Sequence, residues 1–279
     1  MNKKNLILIS VLALVSLFSI SCYAGWFSKK KSNTVTIKGS TTVLPIAQIT
    51  AEAYMDSNSA DKISVQGGGS SIGIASIIDG TADIGDASRP AKDKELTKAA
   101  ANNVYLKAHV VAMDGIAMVV NNSNGVSALS TEQICKIYKG EVSNWSALGG
   151  PDKKIVMINR DSSSGTFETF HKLVMKGKKT SPTCLTVASN KAAHSAVKNT
   201  PGAIGYVGIG YLDGSVKPLK VDGVMVSEAT VLTKEYPIAR PLFMYTNGAP
   251  KGIAKKYLNF VKSAEGQKLV KKVGFVPLK

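Results

Sequence analysis

Apolar and polar positions along the chain follow a repeating order of strand, loop and helix. Alternating or short apolar segments predict strands at residues 34–37, 63–65 and 83–88. Apolar residues at helical spacing predict helices at 44–49 and 72–78, each after a loop rich in glycine and hydroxyl side chains. This alternation is typical of an α/β sheet, so we expect that fold class.

Two longer β-rich segments stand apart from this pattern. They cover residues 110–120 and 237–245, and the chain between them has an α/β pattern of its own. An amphipathic helical segment at 252–269 closes the chain. Because these two β-rich segments flank a separate α/β region, they predict two lobes joined by two strands.

The first residues carry a targeting pattern. Basic residues up to Lys4 precede an apolar segment from Leu6 to Ile20, and small residues follow. That order indicates a secretory signal, which we assign to residues 1–24. The apolar segment has about 15 residues, whereas a membrane span needs about 20. We therefore expect export to the periplasm.

Two processing routes remain open at the end of this segment. Cleavage after Ala24 fits an ordinary signal peptidase, whereas Ser19–Cys22 resembles a bacterial lipobox and would leave a lipidated Cys22. The usual leucine of that motif is Ser19 here. In either case residues 25–33, with three consecutive lysines, are expected to form a solvated tether.

The net charge changes the choice of partner. The 279 residues carry a formal charge of +16, and loss of Lys3 and Lys4 with the signal lowers it to +14. The lysines are scattered and no Lys/Arg-rich helix is present, so nucleic acid is not expected. Such a surface favours attraction of small anions, with an anionic membrane surface as the second alternative. Aromatic residues make up only 6%, which disfavours a sugar or peptide cleft.

Cysteine and histidine are too sparse for a metal centre. Apart from Cys22 the chain has Cys135 and Cys184, which in an oxidising compartment either form a disulfide or stay free. No cluster supplies the ligands that a metal requires. We expect neither a metal nor a cofactor.

The segment Asn159–Thr166 is the strongest candidate for chemistry. It places Arg160 ahead of several hydroxyl side chains and Gly165, and an amphipathic helical pattern follows. A guanidinium, hydroxyl donors and the N–H groups of a first helical turn together suit a small tetrahedral oxyanion. Loop formation and helix capping are the alternative explanation.

Three further segments repeat this chemistry. They are Gly39–Thr42, Gly67–Ser71 and Asp83–Arg89; the first two follow predicted strands, and the third ends a strand with Ser88 and Arg89. Each alone is explained by helix capping. Because loops at the carboxyl ends of strands in open α/β sheets converge on a crevice, we expect all four segments to share one site.

These motifs resemble a known family. Gly-Ser-Thr at 39–41, Gln66–Gly73, Asp83–Arg89, Arg160–Thr166 and Gly202–Tyr206 together are similar to the periplasmic phosphate-binding proteins of high-affinity phosphate ABC transporters. The resemblance covers residues 34–279. It implies a type II periplasmic-binding-protein fold whose lobes close on phosphate. It also implies no catalysis, permease subunits in the inner membrane as partners, and a monomer.

The resemblance also assigns the lobes and the site. Residues 34–113 plus 241–279 would form the first lobe and residues 114–240 the second. The first loop's role falls to three consecutive hydroxyl residues without deciding which of them contacts phosphate. The implied phosphate contacts are Ser40, Thr41, Thr42, Ser70, Ser88, Arg160, Ser164, Gly165 and Thr166.

One position departs from the family pattern. The best-known members carry an aspartate after Ala-Ser in the third segment, where it accepts the proton of hydrogen phosphate; this chain has Arg89. Sulfate has no such proton, so a carboxylate acceptor favours phosphate and repels sulfate. Asp83, Asp86 and Asp161 are the candidates for this role, and we favour Asp83.

Parts of the sequence are also compatible with three other functions. Sulfate, molybdate or tungstate would suit a similar pocket, and an exported phosphate binder could serve as an adhesin or sensor. Gly69–Gly73 formally matches the nucleophile elbow of a serine hydrolase with Ser71 as nucleophile. The histidines that could act as its base, His109, His171 and His194, show no triad signature, so we expect no enzyme.

Overall fold

The computed structural model describes residues 33–278. Residues Thr34–Lys279 group into one compact unit. The predicted signal, Cys22 and the tether up to residue 32 lie outside the described residues. No helix in the described range is both long and apolar enough to cross a membrane.

Strands and helices alternate through the described range, as the sequence pattern predicts. The strands are β1 (Thr34–Gly39), β2 (Lys62–Gly67), β3 (Ile84–Ala87), β4 (Leu106–Val120), β5 (Ala128–Leu129), β6 (Val156–Arg160), β7 (Leu185–Val187), β8 (Ala203–Gly208), β9 (Lys217–Pro218), β10 (Lys220–Val221) and β11 (Ala239–Asn247). The α-helices are α1 (Leu44–Ser57), α2 (Ser70–Ile78), α3 (Asp93–Ala101), α4 (Thr131–Lys139), α5 (Gly165–Leu173), α6 (Asn190–Asn199), α7 (Glu228–Leu232), α8 (Gly252–Lys262) and α9 (Ala264–Lys272). Two 3₁₀ turns cover Trp145–Leu148 and Ile209–Tyr211.

Two parallel groups of strands flank a pair of long central strands. The strand order is β2-β1-β3-β11-β4-β8-β6-β7, with β9 also on β4. β1 is parallel to β2 and β3, and β6 is parallel to β7 and β8. The first half of β4 pairs with β11, and its second half, from Ile116, pairs with β8. One continuous strand therefore belongs to both groups.

The hydrophobic cores divide along the same line. One core draws its buried side chains from residues up to Ala112 and from Leu242 onward, and we call this part of the molecule the first lobe. The other core runs from Ile116 to Ile238, the second lobe, and also takes in Val276. This confirms two α/β lobes joined by two strands. The boundaries at 113/114 and 240/241 stay a prediction.

Glycines let helix α2 lie directly on the first lobe's strands. A Cβ on Gly39, whose φ is +138°, would be 2.2 Å from the Asp86 carbonyl oxygen, and one on Gly73 would be 2.4 Å from the same atom. Only glycine permits these approaches. They bring the N-terminus of α2 beside the ends of β1 and β3, where the predicted site residues lie.

Both cysteines of the described range, Cys135 and Cys184, are free thiols. Cys135 is buried, whereas Cys184 is half-buried with its Sγ 3.9 Å from the Met157 sulfur. Burial raises the pKa of Cys184 to about 11. Of the two alternatives left open by the sequence, the structure has the unpaired one.

Candidate oxyanion-binding site

The first lobe's predicted site residues all follow the carboxyl ends of parallel strands. Thr41 and Thr42 come after β1, Ser70 begins α2 after β2, and Ser88 follows β3, and all four are buried. The Ser88 backbone N–H donates to Ser70 Oγ at 2.9 Å, and the two hydroxyl oxygens are 3.3 Å apart. Parallel strands thus bring three separate segments of sequence to one edge of the sheet.

Ser40 and Ser164 also lie at this edge, where each hydroxyl accepts backbone N–H groups. Ser40 Oγ accepts from the N–H groups of Thr42 and Val43, at 3.2 and 3.4 Å. Ser164 Oγ accepts from the Phe167 N–H at 3.2 Å and so caps α5. Each hydroxyl keeps its proton to donate. The capping explanation and the anion-binding explanation are therefore compatible.

The second lobe contributes the arginine that the sequence singled out. Arg160 ends β6 and is 2% exposed. Its Nε donates to the Val187 carbonyl and its Nη2 to the Ala188 carbonyl, each at 3.1 Å. Its Nη1 is buried and has no hydrogen-bond partner in the described part of the chain. Burial lowers the pKa of Arg160, while neighbouring Asp161 opposes the shift.

Hydroxyl side chains join the two lobes at the centre of the site. Thr42 Oγ1 lies 2.9 Å from Thr166 Oγ1, and Arg160 Nη2 donates to Thr41 Oγ1 at 3.3 Å. A Cβ on Gly165 would lie only 2.3 Å from Ser70 Oγ. The structure therefore brings all nine predicted contacts into one buried, bilobal cluster, here called the oxyanion cluster.

Two members of this cluster were missed by sequence reasoning. Asn190 begins α6, is fully buried, and donates from Nδ2 to the hydroxyls of Thr41 and Thr42, at 3.2 and 2.9 Å. Arg240 on β11 donates from Nη2 to Thr166 Oγ1 at 2.9 Å. The sequence does carry a signal for Arg240: it is the lone cation in the apolar segment that forms β11, and Asp114 is a charged residue in the apolar segment that forms β4. Asn190 has no comparable signal.

The three candidate proton acceptors have different positions. Asp83 is exposed just before β3 and accepts from the Thr36 N–H at 2.8 Å. It lies five residues before Ser88, about 16 Å along the extended chain. The structure does not bring it to the cluster, because a four-residue strand separates the two. Asp86 is 1% exposed on the Ile84 face of β3, where burial raises its pKa well above 3.8. Asp161 remains beside Arg160, and its Oδ2 is buried without a hydrogen-bond partner among the described residues.

Arg89 does not enter the oxyanion cluster. It donates two hydrogen bonds of 2.8 Å to the Glu95 carboxylate, and its Nε lies 2.8 Å from Glu168 Oε2. Burial opposes the charge of Arg89, but the hydrogen bonds and charges of these two glutamates raise its pKa overall. The position at which the family pattern has a ligand carboxylate is therefore occupied by a cation that faces protein carboxylates.

Comparison with known proteins agrees with this arrangement. A family model described as a PBP superfamily domain matches residues 28–265. The phosphate-binding protein PstS of Bacillus subtilis is 35% identical over 291 residues, which cover 100% of this chain and 95% of that protein. PstS of Borreliella burgdorferi is 30% identical, over 96% of this chain and 99% of its own length. The chain belongs to the PstS family.

Solved structures of PstS-like proteins extend the likeness to the fold. A phosphate ABC transporter substrate-binding protein from Clostridium perfringens, described with bound phosphate, superposes with a TM-score of 0.83 at 34% identity, over 88% of this chain and 100% of its own. An ABC-type phosphate transport receptor from Vibrio cholerae has a TM-score of 0.72 at 34% identity, with the same coverage. These matches confirm the predicted binding-protein fold.

Membership of the PstS family also decides against the hydrolase alternative, because the family consists of extracytoplasmic binding proteins rather than enzymes. The geometry of Ser71 agrees. Its hydroxyl accepts from Arg89 Nη2 at 2.9 Å and lies 3.4 Å from Glu168 Oε1. The ring nitrogens of His109 and His194 bond Thr246 and Asp213 instead.

Proposed function

We propose that this protein binds inorganic phosphate between its two lobes and presents the closed complex to the permease of an ABC transporter. The observation that carries the proposal is the buried guanidinium of Arg160, whose Nη1 has no hydrogen-bond partner among residues 33–278. Around it lie hydroxyl donors from both lobes. A buried cation beside convergent donors suits a small anion that both lobes surround.

The roles within the cluster follow from the side chains. Arg160 supplies the main counter-charge, and the hydroxyls of Thr41, Thr42, Ser70 and Ser88 donate from the first lobe. The further donors of the second lobe are Ser164, Thr166, Asn190 and the backbone N–H groups at the start of α5, including that of Gly165. Because these donors come from both lobes, phosphate binds the closed arrangement more tightly than the open one and shifts the population toward it.

For selectivity against sulfate we propose Asp161 as the proton acceptor. Its Oδ1 accepts from the Ser163 N–H at 2.8 Å. Its Oδ2, one residue from Arg160, is buried and has no hydrogen-bond partner within the range that the structure describes. A carboxylate oxygen there can accept the proton of hydrogen phosphate and repels an anion that lacks one. Asp83 is too distant for this role.

We propose that residues 1–24 direct export, with cleavage after Ala24 or lipidation at Cys22, and that the mature protein acts as a monomer in the periplasm. The lobe boundaries are proposed at 113/114 and 240/241, in the connecting strands β4 and β11. The net charge of +14 that remains after loss of Lys3 and Lys4 favours the approach of anions.

Isothermal titration calorimetry with phosphate, arsenate, sulfate and molybdate, at pH values on either side of the second pKa of phosphate, tests the proposal. We expect binding of phosphate and arsenate that excess sulfate leaves unchanged. Tighter binding of sulfate or molybdate would instead assign the site to another oxyanion. In Asp161→Asn we expect sulfate to compete, and unchanged selectivity would contradict the assignment of Asp161.

A further inference from the structure

A second set of contacts joins the lobes beside the oxyanion cluster, at its rim. Glu168 on α5 of the second lobe places Oε2 2.8 Å from Arg89 Nε and 2.7 Å from Lys92 Nζ of the first lobe. Its Oε1 lies 3.4 Å from the Ser71 hydroxyl. Glu168 thus contacts three side chains of the opposite lobe. We call these four residues, Glu168, Arg89, Lys92 and Ser71, the rim cluster.

The rim cluster is partly protected from water. The side chain of Arg89 is 6% exposed and that of Glu168 is 16% exposed, whereas that of Lys92 is 35% exposed. Ion pairs shielded to this degree are screened by salt less than surface pairs and contribute more. Glu95, on the first lobe's helix α3, holds the other side of the Arg89 guanidinium at 2.8 Å. Arg89 is therefore fixed in place before the lobes meet.

The rim cluster is linked covalently to the oxyanion cluster in both lobes. Arg89 directly follows Ser88, and Glu168 lies two residues after Thr166 on the same helix. A cavity of about 370 Å³ adjoins both clusters, with Arg89, Lys92, Glu168 and Arg240 among its lining residues. Movement that separates Ser88 from Thr166 must therefore also separate Arg89 from Glu168.

We infer that Glu168, through Arg89 and Lys92, is a positioning residue that holds the lobes closed over the bound anion and slows its release. The inference rests on the proposed function. It explains why this chain tolerates an arginine at the position where the family pattern has a ligand carboxylate: the cation acts across the cleft on Glu168 rather than on the anion. Because the rim contacts form on closure, their loss acts mainly on dissociation.

The test compares Glu168→Gln with the wild-type protein by stopped-flow measurement of phosphate association and dissociation, at about 20 mM and about 500 mM NaCl. We expect dissociation about 5–20-fold faster in the variant, with association within about twofold of wild type. We also expect a weaker salt dependence of dissociation, because the pair of Glu168 with the more exposed Lys92 side chain is gone. Small-angle scattering of the ligand-free proteins should give the same radius of gyration for the variant and wild type, because the rim contacts form only on closure.

Glu132→Gln is the matched control, because it removes a carboxylate that pairs with Lys136 within helix α4 at 2.8 Å. It should keep the wild-type rates and salt dependence. Lys92→Gln combined with Glu168→Gln should release phosphate no faster than Glu168→Gln alone, because both changes break the same contact. Wild-type dissociation in Glu168→Gln, or a lowered Tm with an unchanged salt dependence, would overturn the inference. Failure of the wild-type protein to bind phosphate would instead refute the proposed function.

Discussion

Asp114 and Arg240 form a buried ion pair across the two strands that connect the lobes. They lie opposite each other in the register of β4 and β11, with Arg240 Nε and Nη2 at 2.9 and 2.8 Å from Asp114 Oδ2. Asp114 is fully buried and Arg240 is 4% exposed. Arg240 also donates to the Ser88 carbonyl at 3.0 Å and to Thr166 Oγ1 at 2.9 Å. The pair therefore ties the oxyanion cluster to the connecting strands.

Breaking this pair from one side should destabilise the fold strongly. In Asp114→Asn the Arg240 charge stays buried without its counter-ion, so we expect a loss of about 3–5 kcal/mol in the free energy of unfolding. Urea titration followed by circular dichroism measures this loss. Asp114→Leu combined with Arg240→Met should recover most of it, because the unpaired charge is gone. Its phosphate affinity should be below that of wild type, because Thr166 Oγ1 loses the Arg240 donor. A stable Asp114→Asn would show that the pair has no structural role.

Arg160 should dominate the binding energy. Replacing it with methionine keeps the aliphatic length but removes the buried counter-charge, so we expect binding to weaken by about 2–5 kcal/mol, a rise in Kd of about 30-fold or more. Calorimetric titration with phosphate measures the change. Lys172→Met removes an exposed cation outside the oxyanion cluster and should leave Kd nearly unchanged. Equal phosphate affinities in Arg160→Met and Lys172→Met would show that Arg160 does not contact the anion.

The sequence allows prediction of the parts of this site that local chemistry controls. Hydroxyls and glycines after strands indicate loops at one sheet edge, and the two apolar segments around Asp114 and Arg240 indicate the connecting strands. Prediction fails where a contact depends on packing between distant segments. Asn190 reaches the first lobe's threonines only because α6 packs against β8, and Arg89 turns away only because Glu95 and Glu168 are near. The spacing of residues along the chain predicts neither the contacts of Asn190 nor those of Arg89.

Asp86 should make stability depend on pH. Burial raises its pKa well above 3.8 in the folded protein, and its Oδ1 has no hydrogen-bond partner from residues 33 to 278. Below pH 3.8 the carboxyl is protonated in both states, so this group costs nothing. As the pH rises, the unfolded chain releases the proton while the folded chain retains it, so stability falls until the pH passes the folded pKa.

Asp86→Asn removes this titration. We therefore expect the variant to be more stable than wild type near pH 7, with the difference shrinking as the pH falls toward 3.8. Thermal unfolding at a series of pH values measures it, and each kcal/mol gained should raise Tm by about 2–4 °C. Asp83→Asn, at the exposed end of the same strand, serves as the control. A difference that grows toward acid would show that Asp86 is ionised in the folded protein.

Gly165 should decide whether the lobes can close. A Cβ there would lie 2.3 Å from Ser70 Oγ and 2.7 Å from Ser88 Oγ, both in the opposite lobe. Gly165 lies in the first turn of α5, where alanine favours the helix. Gly165→Ala should thus leave the second lobe intact while it blocks closure, and we expect phosphate affinity to fall by about 100-fold, or about 2.7 kcal/mol.

Gly125→Ala is the matched control for this substitution, because a Cβ at that exposed position would have no neighbour within 4 Å. Its affinity for phosphate and its Tm should equal those of wild type. Small-angle scattering with and without phosphate completes the test: wild type and Gly125→Ala should contract on binding, and Gly165→Ala should not. Tight binding with normal contraction in Gly165→Ala would mean that the anion is not held between Gly165 and the two serines.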